Sequence, residues 1–127
     1  MGQKPQSILI IDDDGFLLDM YAMKFKGCGM DVEAVTDPAL ALDKLRKGNE
    51  YSMILVDVIM PGMTGFEFLE AVKKESLGKN ATIVVLSNQG QDADIEKAKS
   101  LGAKGYIIKA SAIPSEVCER AIAFAEN

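Results

Sequence analysis

Residues 53–56 (Met-Ile-Leu-Val) and 7–11 (Ser-Ile-Leu-Ile-Ile) are short apolar runs without alternation. Runs of this kind suit strands buried on both faces. Residues 32–35, 81–86 and 105–108 read as three further short strands. Between them the period changes. Leu18, Tyr21, Ala22 and Phe25 recur at helical spacing, and Gly27 and Gly29 mark the end of that helix. Asp37-Pro38 supplies a cap and a first-turn proline for a second helix, with Ala41, Leu42 and Leu45 on its apolar side and Gly48 at its end. Gly65 opens a third helix with Phe66, Leu69 and Val72 inward, and Gly78 closes it. Residues 92–101 form a fourth, with Ile95, Ala98 and Leu101 inward and Gly102 after it. Val117, Ala121 and Phe124 mark a fifth, with Pro114 in or near its first turn. Five strands alternating with five helices predict an α/β fold, a parallel sheet with helices on both faces and right-handed crossovers. No internal repeat or linker interrupts it, so residues 1–127 read as a single domain with its core over about 7–125.

In a parallel sheet of consecutive strand–helix units, the strand ends share one edge, and ligands of open α/β sheets bind there. Four runs end in polar residues: Asp12 and Asp13, Asp57, Ser87, and Lys109. Pro61 and Gly62 stop the run before Asp57 from continuing. Carboxylates about 4 Å apart repel by roughly 4 kcal/mol per pair at an effective dielectric near 20, so the cluster needs positive charge. Lys109 supplies one charge and a divalent cation would supply two. All-oxygen ligation with spare water positions suits Mg²⁺, or Mn²⁺ as a substitute, better than zinc. Asp57 could then attack a phosphoryl group while lysine and metal neutralise its oxygens, and Ser87 could hydrogen-bond the transferred group.

Composition narrows the choice. A net charge of −5 without a Lys/Arg cluster argues against nucleic acid as a direct ligand. No apolar run has membrane-spanning length and no signal segment is seen, which fits a cytoplasmic protein. Histidine is absent, excluding histidine acid–base catalysis, ligation or phosphohistidine formation on this chain. Cys28 and Cys118, 90 positions apart and without CxxC spacing, read as two reduced, partly buried thiols. Met20, Met23, Met30, Met53, Met60 and Met63 read as core or loop fillers. Taken singly, Asp12-Asp13-Asp14 is a solvated turn, Ser87 a strand-end hydroxyl and Lys109 a surface lysine. Their shared edge is what favours chemistry. Asp14 lies one position further on and is expected to cap the first helix.

The pieces Ile-Leu-Ile-Ile-Asp12-Asp13-Asp14, Asp57-Val-Ile-Met-Pro61-Gly-Met-Thr-Gly65, Val-Val-Leu-Ser87-Asn and Gly102-Ala-Lys-Gly-Tyr106-Ile-Ile-Lys109 stand in an order and spacing that resembles the response-regulator receiver domain of two-component signalling, the CheY-like family. The resemblance covers nearly the whole chain. It implies a flavodoxin-like (βα)5 doubly wound sheet of order 2-1-3-4-5, an order for which CheY is a standard example. It implies Asp57 as phosphoacceptor, Asp13 as direct Mg²⁺ ligand with Asp12 beside it, and the backbone carbonyl of Ile59 as a further metal ligand. Ser87 and Tyr106 match the switch hydroxyl and aromatic, and Lys109 the phosphate-contacting lysine. The implied donor is a phosphohistidine on a sensor histidine kinase or phosphotransfer protein, and the domain hydrolyses its own acyl phosphate. The implied output is a downstream protein meeting the face of the fourth helix, fifth strand and fifth helix, by a monomer or a phosphorylation-dependent dimer. With no output segment after the fifth helix, the chain is expected to act alone or as a receiver excised from a longer protein. Ile59 and Gln89 flank the site and are expected to tune the phosphoryl lifetime. One position departs from the family pattern: Ala110 stands where proline usually follows the lysine. A cis bond before alanine costs roughly 2.5–4 kcal/mol, so a trans Lys109–Ala110 bond and a reshaped following loop are expected. The alternative is a protein-interaction module of the same fold that is never phosphorylated.

Overall fold

The computed structural model describes residues 7–58, 60, 62–88 and 90–126. Along the chain run β1 (Ser7–Ile11), α1 (Gly15–Gly27), β2 (Asp31–Val35), α2 (Pro38–Arg46), β3 (Met53–Val56), α3 (Gly65–Lys74), β4 (Thr82–Ser87), α4 (Asp92–Ser100), β5 (Gly105–Ile108) and α5 (Pro114–Glu126). A short 3₁₀ turn, Lys109–Ser111, links β5 to α5. The strands form one parallel sheet of order β2-β1-β3-β4-β5, as expected.

Side chains alternate across the sheet, so each strand feeds two cores. Leu9, Ile11, Ile54, Val56, Ile83 and Val85 point to one face, where Leu42 and Leu45 of α2, Phe68, Leu69 and Val72 of α3, and Ala98 of α4 close over them. Ile8, Ile10, Met53, Leu55, Val84, Leu86 and Ile107 point to the other, under Leu18, Tyr21 and Phe25 of α1 and Val117, Cys118 and Ala121 of α5. This two-sided burial is the physical content of the unalternating apolar runs.

The helices are started by side chains. Asp14 accepts from the Phe16 and Leu17 amides (3.1 and 3.2 Å), the capping role expected of it. Asp37 caps α2 ahead of Pro38. Thr64 and Glu67 form a reciprocal capping box on α3. Phe66 and Leu101 pack against the core as expected, but neither is fully buried. Phe68, not Phe66, is the fully buried aromatic of α3; Phe66 is only half-buried, with the Lys97 ammonium 4.7 Å from its ring centroid. On α4 only Ala98 is buried, while Ile95 and Leu101 are half-buried. Among the methionines, Met30, Met53 and Met60 are buried, but Met23 is 72% exposed.

Tyr51, just before β3, donates to Glu33 of β2 (2.6 Å), and Lys44 of α2 pairs with the same carboxylate. Burial, then the Glu33 hydrogen bond and charge, push the Tyr51 phenol up to about 12. A raised phenol pKa contributes stability that is fully present below the unfolded value near 10 and is lost as pH rises through the folded value. The urea midpoint is therefore expected to fall between pH 10 and about 12, and Tyr51→Phe to flatten that fall. An equally steep decline in the variant would contradict the assignment.

Candidate functional site

β1 and β3 are neighbours with Ile11 opposite Val56, so the next residues, Asp12 and Asp57, leave the sheet side by side. Backbone bonds fix both positions: the Asp57 amide donates to the Ile11 carbonyl (3.0 Å) and the Asp12 amide to the Val35 carbonyl (3.2 Å). On the other side, Ser87 of β4 stands opposite Ile108 of β5, and Lys109 follows at once.

Lys109 reaches back across this edge. Its Nζ donates to Asp12 Oδ2 at 2.8 Å and to Asp57 Oδ2 at 3.2 Å. The three side chains are nearly dry, with exposures of 9% for Lys109, 2% for Asp12 and 8% for Asp57. Asp12 also accepts from the Asp14 amide through Oδ1 (3.0 Å). Asp13 is exposed beside them, and carboxylate oxygens of Asp12, Asp13 and Asp57 all lie within 4.8 Å of one another.

Three carboxylates around one ammonium leave this rim anionic. Burial acts to lower the Lys109 pKa, but the Asp12 hydrogen bond and the charges of Asp57 and Asp12 outweigh it. The ammonium is held above its ordinary value. It therefore stays charged throughout the neutral range. The donor set suits a hard dication: oxygen only, closely spaced, with Asp13 open to solvent so that water can complete the coordination.

Ser87 is fully buried at the end of β4. Tyr106, half-buried on β5, shares a side-chain hydrogen bond with it. Burial raises the Tyr106 pKa; the Ser87 bond lowers it, and the charges of Asp94 and Asp57 raise it further. Tyr106 thus feels the carboxylate rim and touches the hydroxyl beside it. No cis peptide occurs among the described residues, and the 3₁₀ turn at Lys109–Ser111 carries the trans Lys109–Ala110 bond. That turn, with Leu17, Met20 and Tyr21 of α1, walls an open cleft of about 580 Å³ beside Lys109. Ile59, expected to offer a backbone oxygen, lies outside the described residues, as does Gln89.

Two site neighbours escaped the sequence reading. Tyr21 looked like a core residue, yet its phenol, raised chiefly by burial, also feels Lys109, Asp12, Asp57 and Asp14. Gly65 looked like a helix opener. A Cβ there would lie 2.1 Å from the Asp57 carbonyl oxygen and 2.8 Å from Val58 Cα. Helical periodicity carries no trace of either relation, since both depend on how α1 and α3 dock at the sheet edge.

The fold and this rim define a doubly wound α/β domain with an acidic, lysine-bridged pocket at its carboxyl edge. Residues 8–120 match the family model described as Response regulator receiver domain, and the chain belongs to that family. It is 31% identical over 108 residues to the two-component response regulator ORR11 of Oryza sativa subsp. japonica, covering 85% of this chain and 74% of that protein. It is 30% identical over 104 residues to the DNA-binding response regulator MtrA of Mycobacterium tuberculosis, covering 82% of this chain but only 44% of MtrA. Among solved structures, the chemotaxis response regulator CheY4 of Vibrio cholerae superposes with a TM-score of 0.84 at 28% identity, over 94% of this chain and 98% of that one. The chain is thus a CheY-like receiver domain of the two-component response-regulator family. Among the described residues no helix is long and apolar enough to cross a membrane.

Proposed function

We propose that Asp57 accepts a phosphoryl group from a phosphohistidine of a sensor histidine kinase or phosphotransfer protein, and that the modification switches a partner-binding face. The observation that carries this reading is the Lys109 ammonium shared by two buried carboxylates, Asp12 and Asp57, with Asp13 exposed alongside. Asp12, Asp13 and Asp57 are the residues that would hold Mg²⁺, or Mn²⁺ in its place. When bound, the ion supplies positive charge that neutralises phosphoryl oxygens.

This chain's own groups do the rest. An Asp57 carboxylate oxygen attacks phosphorus, the bond to the donor imidazole nitrogen breaks, and the electron pair leaves with the imidazole. Lys109, held protonated, exchanges Asp57 Oδ2 for a phosphoryl oxygen. Ser87 turns its hydroxyl to another. Its hydrogen bond to Tyr106 is then surrendered, and the phenol swings into the space released. α4, in which Ala98 is the one buried residue, shifts with the β4–α4 loop. The face of α4, β5 and α5 presents a new shape to a downstream protein, as a monomer or by dimerising through that face. This is a population shift, driven because the phosphoryl group contacts one packing better than the other. Attack of water on the acyl phosphate resets the switch. The whole chain acts as one receiver unit, in the cytoplasm, without touching nucleic acid itself.

Incubation with acetyl phosphate and Mg²⁺ tests the reading by intact mass. One phosphoryl group is expected, hydroxylamine-labile and absent when EDTA replaces Mg²⁺. A chain that gains no mass, and whose spectra ignore beryllofluoride, is the unphosphorylated interaction module instead.

A further inference from the structure

Cys28 directly follows α1, and Cys118 lies inside α5, 90 positions later. The two helices pack side by side on one face of the sheet, and there the sulfurs meet at 2.6 Å. Cys118 is buried and Cys28 partly exposed, both as thiols. The pair stands apart from the carboxylate rim. α1 begins immediately after Asp14, and its 13 residues set roughly 20 Å of helix between that rim and Cys28. Nothing in the phosphoryl chemistry uses these sulfurs.

We propose that Cys28 and Cys118 are an oxidation site, a thiol pair that closes to an intramolecular disulfide on two-electron oxidation by a peroxide. Cys28, the accessible member, reacts first. Its sulfur takes one peroxide oxygen, the O–O bond breaks, and the other oxygen leaves as water, giving a sulfenic acid. The Cys118 sulfur then attacks the Cys28 sulfur. The S–S bond forms, the S–O bond breaks, and a second water carries away the Cys118 proton. Two thiols and one hydrogen peroxide thus become one disulfide and two waters. Because the partner sulfur is already in contact, closure precedes further oxidation of Cys28. The cross-link closes most of the chain into a loop, which restricts the unfolded state far more than the folded one. It also pins α5 to α1, restraining one element of the face proposed to signal.

The full chain, treated with a small excess of hydrogen peroxide, is quenched, denatured and assayed for thiols, and its peptides are mapped without reduction. Both thiols are expected to disappear together, with one peptide pair linked through Cys28 and Cys118 and no added oxygen. The thermal midpoint is expected to rise on the order of 10 °C, reversibly with dithiothreitol. Cys28→Ser and Cys118→Ala each lose the cross-link and the rise. Asp57→Asn forms the disulfide at the wild-type rate, which separates this inference from the phosphoacceptor reading. Two surviving thiols, sulfinic acid accumulating on Cys28, or disulfide-linked dimers without the internal bridge would each overturn it.

Discussion

Replacing Asp57 with asparagine is expected to cut phosphoryl incorporation from acetyl phosphate by on the order of 1000-fold or more, without loss of stability. The amide keeps the side chain's size but offers no anionic oxygen to attack phosphorus. Stability is the less obvious half. Asp57 is buried and shares Lys109 with Asp12. Such a carboxylate pair repels by several kcal/mol at short range, roughly 4 at 4 Å and an effective dielectric near 20. With asparagine in place, Lys109 pairs with Asp12 alone: the repulsion and the burial cost of a second carboxylate are gone, and they offset the 3.2 Å ion pair to Lys109 that is lost with them. The urea midpoint measured without divalent metal is therefore expected to stay level or rise. Label retained by the variant would move the acceptor elsewhere. A variant that is folded less stably would mean that the carboxylate is held for structure, as in a static ion-pair network.

Gly65→Ala is expected to be the more damaging change, although it removes no functional group. The new Cβ would meet the Asp57 carbonyl oxygen at 2.1 Å and Val58 Cα at 2.8 Å, and both are backbone. The Gly65 amide is also bonded to the Val58 carbonyl at 2.7 Å, so the helix start cannot back away without breaking that bond. The first turn of α3 and the segment carrying Asp57 must separate. A destabilisation of about 3 kcal/mol is expected, the upper part of the range for overpacking. Urea unfolding measures this directly, and acetyl phosphate labelling of the folded fraction should slow as Asp57 is displaced from Lys109. A variant within about 0.5 kcal/mol of wild type, the scale of an innocuous surface change, would show that the segment yields freely.

Strand positions were legible because β1, β3 and β4 are apolar runs without alternation and the helices carry clear starts and stops, such as Asp37-Pro38 and Gly48, whereas the sheet order came from the resemblance to the receiver family. The convergence of Asp12, Asp57 and Lys109 was legible too, since parallel strands of a doubly wound sheet end on one edge whatever their separation in sequence. What escaped depends on docking. Phe66 and Phe68 both fit a helical stripe, and only the tilt of α3 over the sheet decides which is inward. Ile95 and Leu101 keep the right period on α4, yet that helix rests lightly and leaves them half in water. Met23 follows no stripe that composition could assign. Cys28 and Cys118 show no spacing motif, and their contact exists only because α1 and α5 lie against each other.

The Lys109–Asp12 bond joins residues 97 positions apart, from the first strand to the edge of the last. During synthesis from the amino terminus, the two strands bearing the carboxylates leave the ribosome well before the lysine does. Until β5 docks, the acids repel with no ammonium between them, and that tension is relieved only when the final strand joins. An incomplete chain therefore has the buried carboxylates but not the ammonium shared between them. On the proposed function, competence to accept phosphate then arrives only with completion of the sheet.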